Sequence, residues 1–129
     1  IFHPFFPYPD VPEMYASSDI GLVPLKRGIT DESVPSKVFS ILAAGRPLVA
    51  CVEAETDTSR LMSQSGCGLR VPPEDPAALA EAVIRLRRDP EACRRMGMNG
   101  RARAENDFSR GLIAKAYEQL FRSVVDGRA

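Results

Sequence analysis

The sequence predicts an α/β fold, a doubly wound parallel sheet with helices on both faces, followed by a purely helical C-terminal segment. Three observations carry this. Short apolar runs of strand length, at 20–24, 47–52 and 69–71, alternate with segments of helical period as far as residue 89. The run at 20–24 is apolar at every position, as a central parallel strand buried on both faces should be. From Pro90 onward no strand-like run occurs, and apolar residues recur only at helical spacing.

Length and composition set the bounds. A chain of 129 residues is one domain at most, large enough for a real core. The formal net charge of zero removes any global case for nucleic-acid binding. Charge is nevertheless uneven: residues 1–75 carry 6 Lys/Arg against 10 Asp/Glu, and residues 76–129 carry 11 against 7. Cys51, Cys67 and Cys93 are odd in number and lack Cys-x-x-Cys spacing, which argues against a disulfide framework or a zinc site and fits a reducing, cytoplasmic setting. No apolar run approaches the length of a membrane span, and no signal peptide is apparent. The chain opens without methionine, directly in a strand-like run, so it reads as part of something longer.

In chain order, 1–3 reads as the end of a strand and 4–9 as a rigid aromatic turn. His3, the single histidine, fits a structural role better than a catalytic one. Asp10 is the expected cap of a short helix through Val11, Met14 and Tyr15, with Pro12 in its first turn. Lys26, Arg27 and Gly28 follow the first full strand. Ligands of open α/β sheets bind outside the carboxyl ends of strands, so the loop 25–34 is placed for binding and Lys26 and Arg27 are candidate phosphate contacts. A solvated basic turn is the competing explanation. After the strand at 47–52, the acidic segment 53–57 suits the N-terminus of a helix from about 58 to 65, capped by Thr56 or Asp57. That role accounts for these carboxylates without a metal. Gly66 and Gly68 close the helix, and Asp75-Pro76 is a cap followed by proline at the first helical position. Leu79, Ala82, Val83 and Leu86 then form one helical face. Residues 91–105 make a helix of weak propensity whose Gly97 and Gly100 imply close packing against a neighbour. Ser109 is the expected cap of the last helix, where Leu112, Ile113, Ala116, Tyr117, Leu120, Phe121 and Val124 make a wide apolar stripe.

Residues 31–50 hold most of the information. They read as a loop, a helix of about ten residues, a Gly45-Arg46-Pro47 break and a strand. Ser33 or Val34 is the expected cap, with Pro35 in the first turn, and Val38, Phe39, Ile41 and Leu42 imply deep burial. Helix N-termini favour acidic side chains, yet this one carries Ser36 and Lys37. An anionic ligand resolves that conflict: the free N–H groups of Ser36 to Val38, the Ser36 hydroxyl and the Lys37 ammonium suit a phosphate. A surface lysine facing solvent or paired with Glu32 is the alternative.

On these residues, Glu32 to Ala50 followed by Gly68-Leu-Arg-Val-Pro-Pro-Glu-Asp-Pro76, the chain resembles the donor-binding domain of family 4 retaining glycosyltransferases. It is similar in particular to bacterial enzymes of colanic-acid and O-antigen type. The resemblance implies the second Rossmann-like domain of a GT-B fold with its first strands missing, residues 1–89 binding the nucleotide-sugar and 90–129 packing back toward an N-terminal domain. Glu32 matches the family's first glutamate, which acts on the donor sugar and is the candidate catalytic residue. The family's second glutamate, which usually holds the ribose, falls on Ser40. Ser33, Val34, Pro35, Ser36, Lys37 and Ser40, with Lys26 and Arg27, are the candidate donor contacts.

The activity implied is metal-independent transfer of a sugar from a nucleoside-diphosphate sugar to a hydroxyl, with no cofactor and no nucleic acid. The partners implied are the donor, a saccharide or lipid-linked saccharide acceptor, and the enzyme's own N-terminal domain. A nucleotide-sugar epimerase of the same fold is an alternative, although the acid and base residues it needs are not found here. A non-catalytic Rossmann-like module is another, kept open by Ser40. Arg85, Arg87, Arg88, Arg94, Arg95, Arg101 and Arg103 face only Asp89 and Glu91 between them. They read either as a solvated helix face or as a contact for anionic lipid headgroups at the inner face of a membrane.

Overall fold

The structure is a computed structural model and describes residues 5–29 and 34–127. One turn of 3-10 helix (Tyr8–Asp10) runs into helix α1 (Val11–Ser17). Strand β1 (Gly21–Pro24), α2 (Ser36–Ala43), β2 (Leu48–Cys51), α3 (Asp57–Ser65) and β3 (Gly68–Val71) follow in alternation. Helices α4 (Pro76–Arg88), α5 (Pro90–Asp107) and α6 (Arg110–Val125) complete the chain. The three strands are parallel in the order β1-β2-β3, with Leu22 opposite Val49 and Val49 opposite Leu69.

The central strand is β2, buried at all four positions. The first run, expected to be central, is instead an edge of the described sheet and alternates buried and exposed residues, with Leu22 45% exposed. Its composition could not reveal this, because an apolar edge strand and an apolar central strand read alike until neighbours are assigned.

Two layers of apolar side chains sandwich the sheet. On one face Val23, Leu48 and Ala50 pack against Val38, Ile41 and Leu42 of α2 and Leu61 and Met62 of α3. On the other, Val49, Cys51 and Val71 meet Ala82 and Leu86 of α4. Within α2 only Phe39 of the four expected core residues is half-buried, its ring set edge-on to Phe108 at 4.9 Å between centroids.

Helix α5 touches both layers, with Cys93 and Met96 on the α4 side and Ala104 on the α2 side. Its glycines explain how it gets so close. A Cβ on Gly97 would lie 2.1 Å from the Gly45 carbonyl oxygen, and one on Gly100 would lie 2.8 Å from a Leu42 methyl. The close packing expected of Gly97 and Gly100 is therefore present, and the neighbour is α2 and its exit. Gly45 itself adopts φ 66° and ends α2 with a Schellman pair, Arg46 N–H to Ile41 C=O at 3.2 Å and Gly45 N–H to Leu42 C=O at 2.9 Å.

The caps fall partly as expected. Thr56 accepts from Ser59 N–H at 3.2 Å, and Asp75 accepts from Ala78 N–H at 2.9 Å. Asp89 does the same for α5, accepting from Ala92 N–H at 2.8 Å, a repeat of the Asp-Pro pattern. Asp10 does not cap α1, because it already lies in the preceding 3-10 turn with helical φ and ψ. Ser109 precedes α6 without a side-chain cap bond. Helix α6 buries none of its residues, so its apolar stripe, including Tyr117, Leu120 and Phe121, is exposed.

Candidate functional site

The carboxyl ends of the three strands open onto the loops before α2, α3 and α4. Leu25 N–H donates to Cys51 C=O at 3.1 Å, extending the β1–β2 ladder by one residue before the chain turns. Lys26 to Ile29 make that turn, with Gly28 at φ 75° in its third position, the position of a type II turn that needs positive φ. This holds Lys26 and Arg27 exposed at the carboxyl edge of β1. Neither forms an ion pair among the described residues.

The cap of α2 is Pro35, with ψ 132°, and not Ser33 or Val34. A proline cap offers no side-chain acceptor, so α2 has neither a side-chain cap bond nor an acidic residue in its first turn. Val38 N–H is already satisfied by Pro35 C=O at 2.9 Å, so of the three N–H groups expected to be free only those of Ser36 and Lys37 lack a partner among the described residues. Both side chains are exposed. Val34 and Pro35 are half-buried and anchor the approach, Val34 by packing on the core beneath α2. Glu32 and Ser33, like His3, lie outside the described residues.

Ser40 stands apart from the other candidates. It lines two adjoining cavities, of about 630 and 400 Å³, in a groove over the outer face of α2, with α1 on one side and α5 on the other. Tyr8 and Tyr15 bound the first, and Phe39 and Phe108 the second. Lys26, Arg27, Ser36 and Lys37 line neither. Helical spacing still sets Ser36, Lys37 and Ser40 along one outward stripe of α2.

Sequence reasoning missed Arg70. Its guanidinium donates to Val52 C=O at 3.2 Å and so reaches the carboxyl end of the central strand. An isolated arginine in a short strand gave no signal. Nor could the fate of the basic helical surface be read from spacing. Arg101 donates to Ala43 C=O at the end of α2 and pairs with Glu105 at 2.6 Å. Arg103 pairs with Asp107 at 2.9 Å and lies over the Phe108 ring. Arg94 pairs with Glu91. Arg101 and Arg103 are thus internal fastenings of α5, and the seven arginines do not form one uncompensated face. Burial pushes the Cys51 thiol, at the end of β2, above its ordinary range.

A parallel sheet with helices on both faces and a basic helix start after β1 defines a Rossmann-like α/β domain. The comparisons narrow that class. The family profile described as glycosyl transferases group 1 matches residues 1–89. A probable glycosyltransferase, WbjE, of Pseudomonas aeruginosa is 38% identical over 68 residues, 53% of this chain and 17% of its own. An exopolysaccharide phosphotransferase of Streptomyces coelicolor is 31% identical over 116 residues, 90% of this chain and 12% of its own. The O-antigen chain mannosyltransferase C of Escherichia coli is 33% identical over 84 residues, 65% of this chain and 22% of its own. Among solved structures, a sucrose-phosphate synthase from Thermosynechococcus elongatus superposes with a TM-score of 0.76 at 30% identity, over 88% of this chain and 27% of its own. The chain belongs to the group 1 glycosyltransferase family. It spans between 12% and 27% of the length of these relatives.

Proposed function

We propose that this chain is the donor-binding part of a retaining glycosyltransferase that builds cell-surface polysaccharide, taking its sugar from a nucleoside diphosphate and passing it to a hydroxyl. The observation that carries the reading is the first turn of α2: a proline-capped helix start without an acidic side chain, with Lys37 exposed beside the N–H groups of Ser36 and Lys37. A diphosphate satisfies those donors and the helix dipole together. In transfer, negative charge grows on the departing diphosphate, and these fixed donors and the ammonium stabilise it without reorganisation. Glu32, four residues before this turn in sequence, acts on the sugar, and Lys26 and Arg27 add positive potential from the carboxyl edge of β1. The chemistry needs neither a metal nor a cofactor, since Lys37 and the helix start supply the positive charge. The acceptor, a saccharide or lipid-linked saccharide, meets the donor from a second domain.

Calorimetric titration of UDP, GDP and their sugars into the intact protein tests this. The expected result is that a diphosphate binds, that Lys37→Ala weakens it about tenfold, the loss of one charge-assisted contact, and that Glu32→Ala harms only the sugar nucleotides. Absence of binding by every one of these nucleotides overturns the reading.

A further inference from the structure

The groove over the outer face of α2 continues from the proposed diphosphate seat. Ser36 and Ser40 stand one turn apart along that helix, and four residues rise about 6 Å, a step that one phosphate and its ester link bridge. The lining suits a neutral group and not a further phosphate. Its two charged residues, Arg101 and Glu105, pair with each other at 2.6 Å, and Arg101 also donates to the Ala43 carbonyl. Tyr8, 87% exposed, and Tyr15 offer aromatic faces in the larger cavity, and nucleic-acid bases stack on such faces.

The Ser40 hydroxyl is open to a ligand. The hydroxyls of Ser17, Ser63, Ser65 and Ser123 each donate to a carbonyl three or four residues back in their own helix. That of Ser40, half-buried in the middle of α2, makes no such bond, and its residue lines both cavities. A site rejects an analogue that lacks one hydroxyl when the loss leaves a buried polar group unpaired. Ser40 escapes that penalty, because a serine hydroxyl without a ligand can turn back to the carbonyl four residues earlier, here that of Ser36.

We infer that this groove takes the nucleoside of the donor, with the base on Tyr8 and the ribose at Ser40, and that it does not distinguish ribose from 2′-deoxyribose. The donors admitted then include 2′-deoxyribonucleoside-diphosphate sugars. The inference rests on the donor reading, which supplies the diphosphate at the start of α2.

The test is calorimetric titration of the intact protein with two matched pairs, UDP against 2′-deoxy-UDP and GDP against 2′-deoxy-GDP. Within whichever pair binds, the two affinities are expected to agree within about twofold. Ser40→Glu places a carboxylate that accepts from both ribose hydroxyls and is left unpaired by the deoxy form, so the ribonucleotide should gain a preference of about tenfold or more. Ser40→Asp, one methylene shorter, serves where the longer side chain disturbs folding. Tyr8→Ala, at an exposed position, should weaken both members of the pair equally, by about fivefold or more. A tenfold preference for ribose in the parent overturns the inference, and so does an unchanged ratio in the carboxylate variants or unchanged affinity in Tyr8→Ala. Those outcomes leave the donor reading standing, whereas absence of binding by all four nucleotides removes both.

Discussion

Replacing Gly97 by alanine isolates the contact that seats α5 on the sheet. Gly97 lies in the interior of an 18-residue helix, where alanine in place of glycine normally gains about 1 kcal/mol of helix propensity. Here the added Cβ would lie 2.1 Å from the Gly45 carbonyl oxygen and 3.0 Å from its carbon. The closest comfortable C···O approach is about 3.3 Å, so the helices must part by about 1 Å. Gly45 cannot yield easily, because it sits at φ 66° inside the Schellman pair that ends α2. Overpacking of this kind costs about 1–3 kcal/mol, and separation also strips Gly100 from Leu42 and Arg101 from the Ala43 carbonyl. The net expectation is a loss of about 1–2 kcal/mol, a fall of roughly 3–10 °C in the midpoint for this domain. The matched control is Gly111→Ala in α6, whose Cβ would meet nothing within 4 Å. It should leave the midpoint unchanged or raise it, by at most about 1 kcal/mol. Thermal unfolding of both variants in the intact protein, with hydrogen exchange along α5, makes the comparison. If Gly97→Ala is as stable as the parent, α5 does not press on Gly45 and the account of its packing fails.

Other substitutions test separate parts of the structure. Leu86, 1% exposed under the sheet, should cost about 2–5 kcal/mol when cut to alanine, measured by urea denaturation. Asp89→Ala removes a real cap and should cost about 1 kcal/mol, whereas Ser109→Ala, which removes no cap bond, should cost at most a few tenths. Burial pushes the thiols of Cys51, Cys67 and Cys93 above the ordinary value of 9.0, and at Cys93 the Asp89 and Asp19 carboxylates add to it while Arg94 offsets it. The folded state then keeps protons that the unfolded chain has released, so these thiols contribute fully below pH 9 and stability falls as pH rises past it. Stability measured from pH 7 to 10.5 should show that decline, shallower in Cys93→Ser. The ion pairs, all on exposed side chains, should matter little: raising salt to 1 M should move the midpoint by no more than the few tenths of a kcal/mol such pairs carry.

Much of the candidate site was legible because it is built from local chemistry. A helix start lacking an acidic residue and carrying Ser36 and Lys37 is visible in the order of residues alone. So are the Asp75-Pro76 cap and the Gly45 stop, since each depends on φ, ψ and hydrogen bonds within a few residues. Proline made the one local error at α2. Pro35 fits a first helical turn as readily as a cap, and what decides between them is its ψ of 132°.

The sequence alone determined the order of strands and helices, the family pattern over 32–76, and the need for a close partner at Gly97 and Gly100. Tertiary structure decided that β2 is the central strand of the described sheet with β1 at its edge, that α5 spans both core layers, and that Arg101 and Arg103 serve α5 and α2 instead of a basic surface. It also decided that Ser40 opens into a groove between α1 and α5. The physical reason is range. Caps, turns and periodicity are set by neighbours a few residues away, whereas burial on a second face and the partner of a long flexible cation are fixed only when distant segments pack.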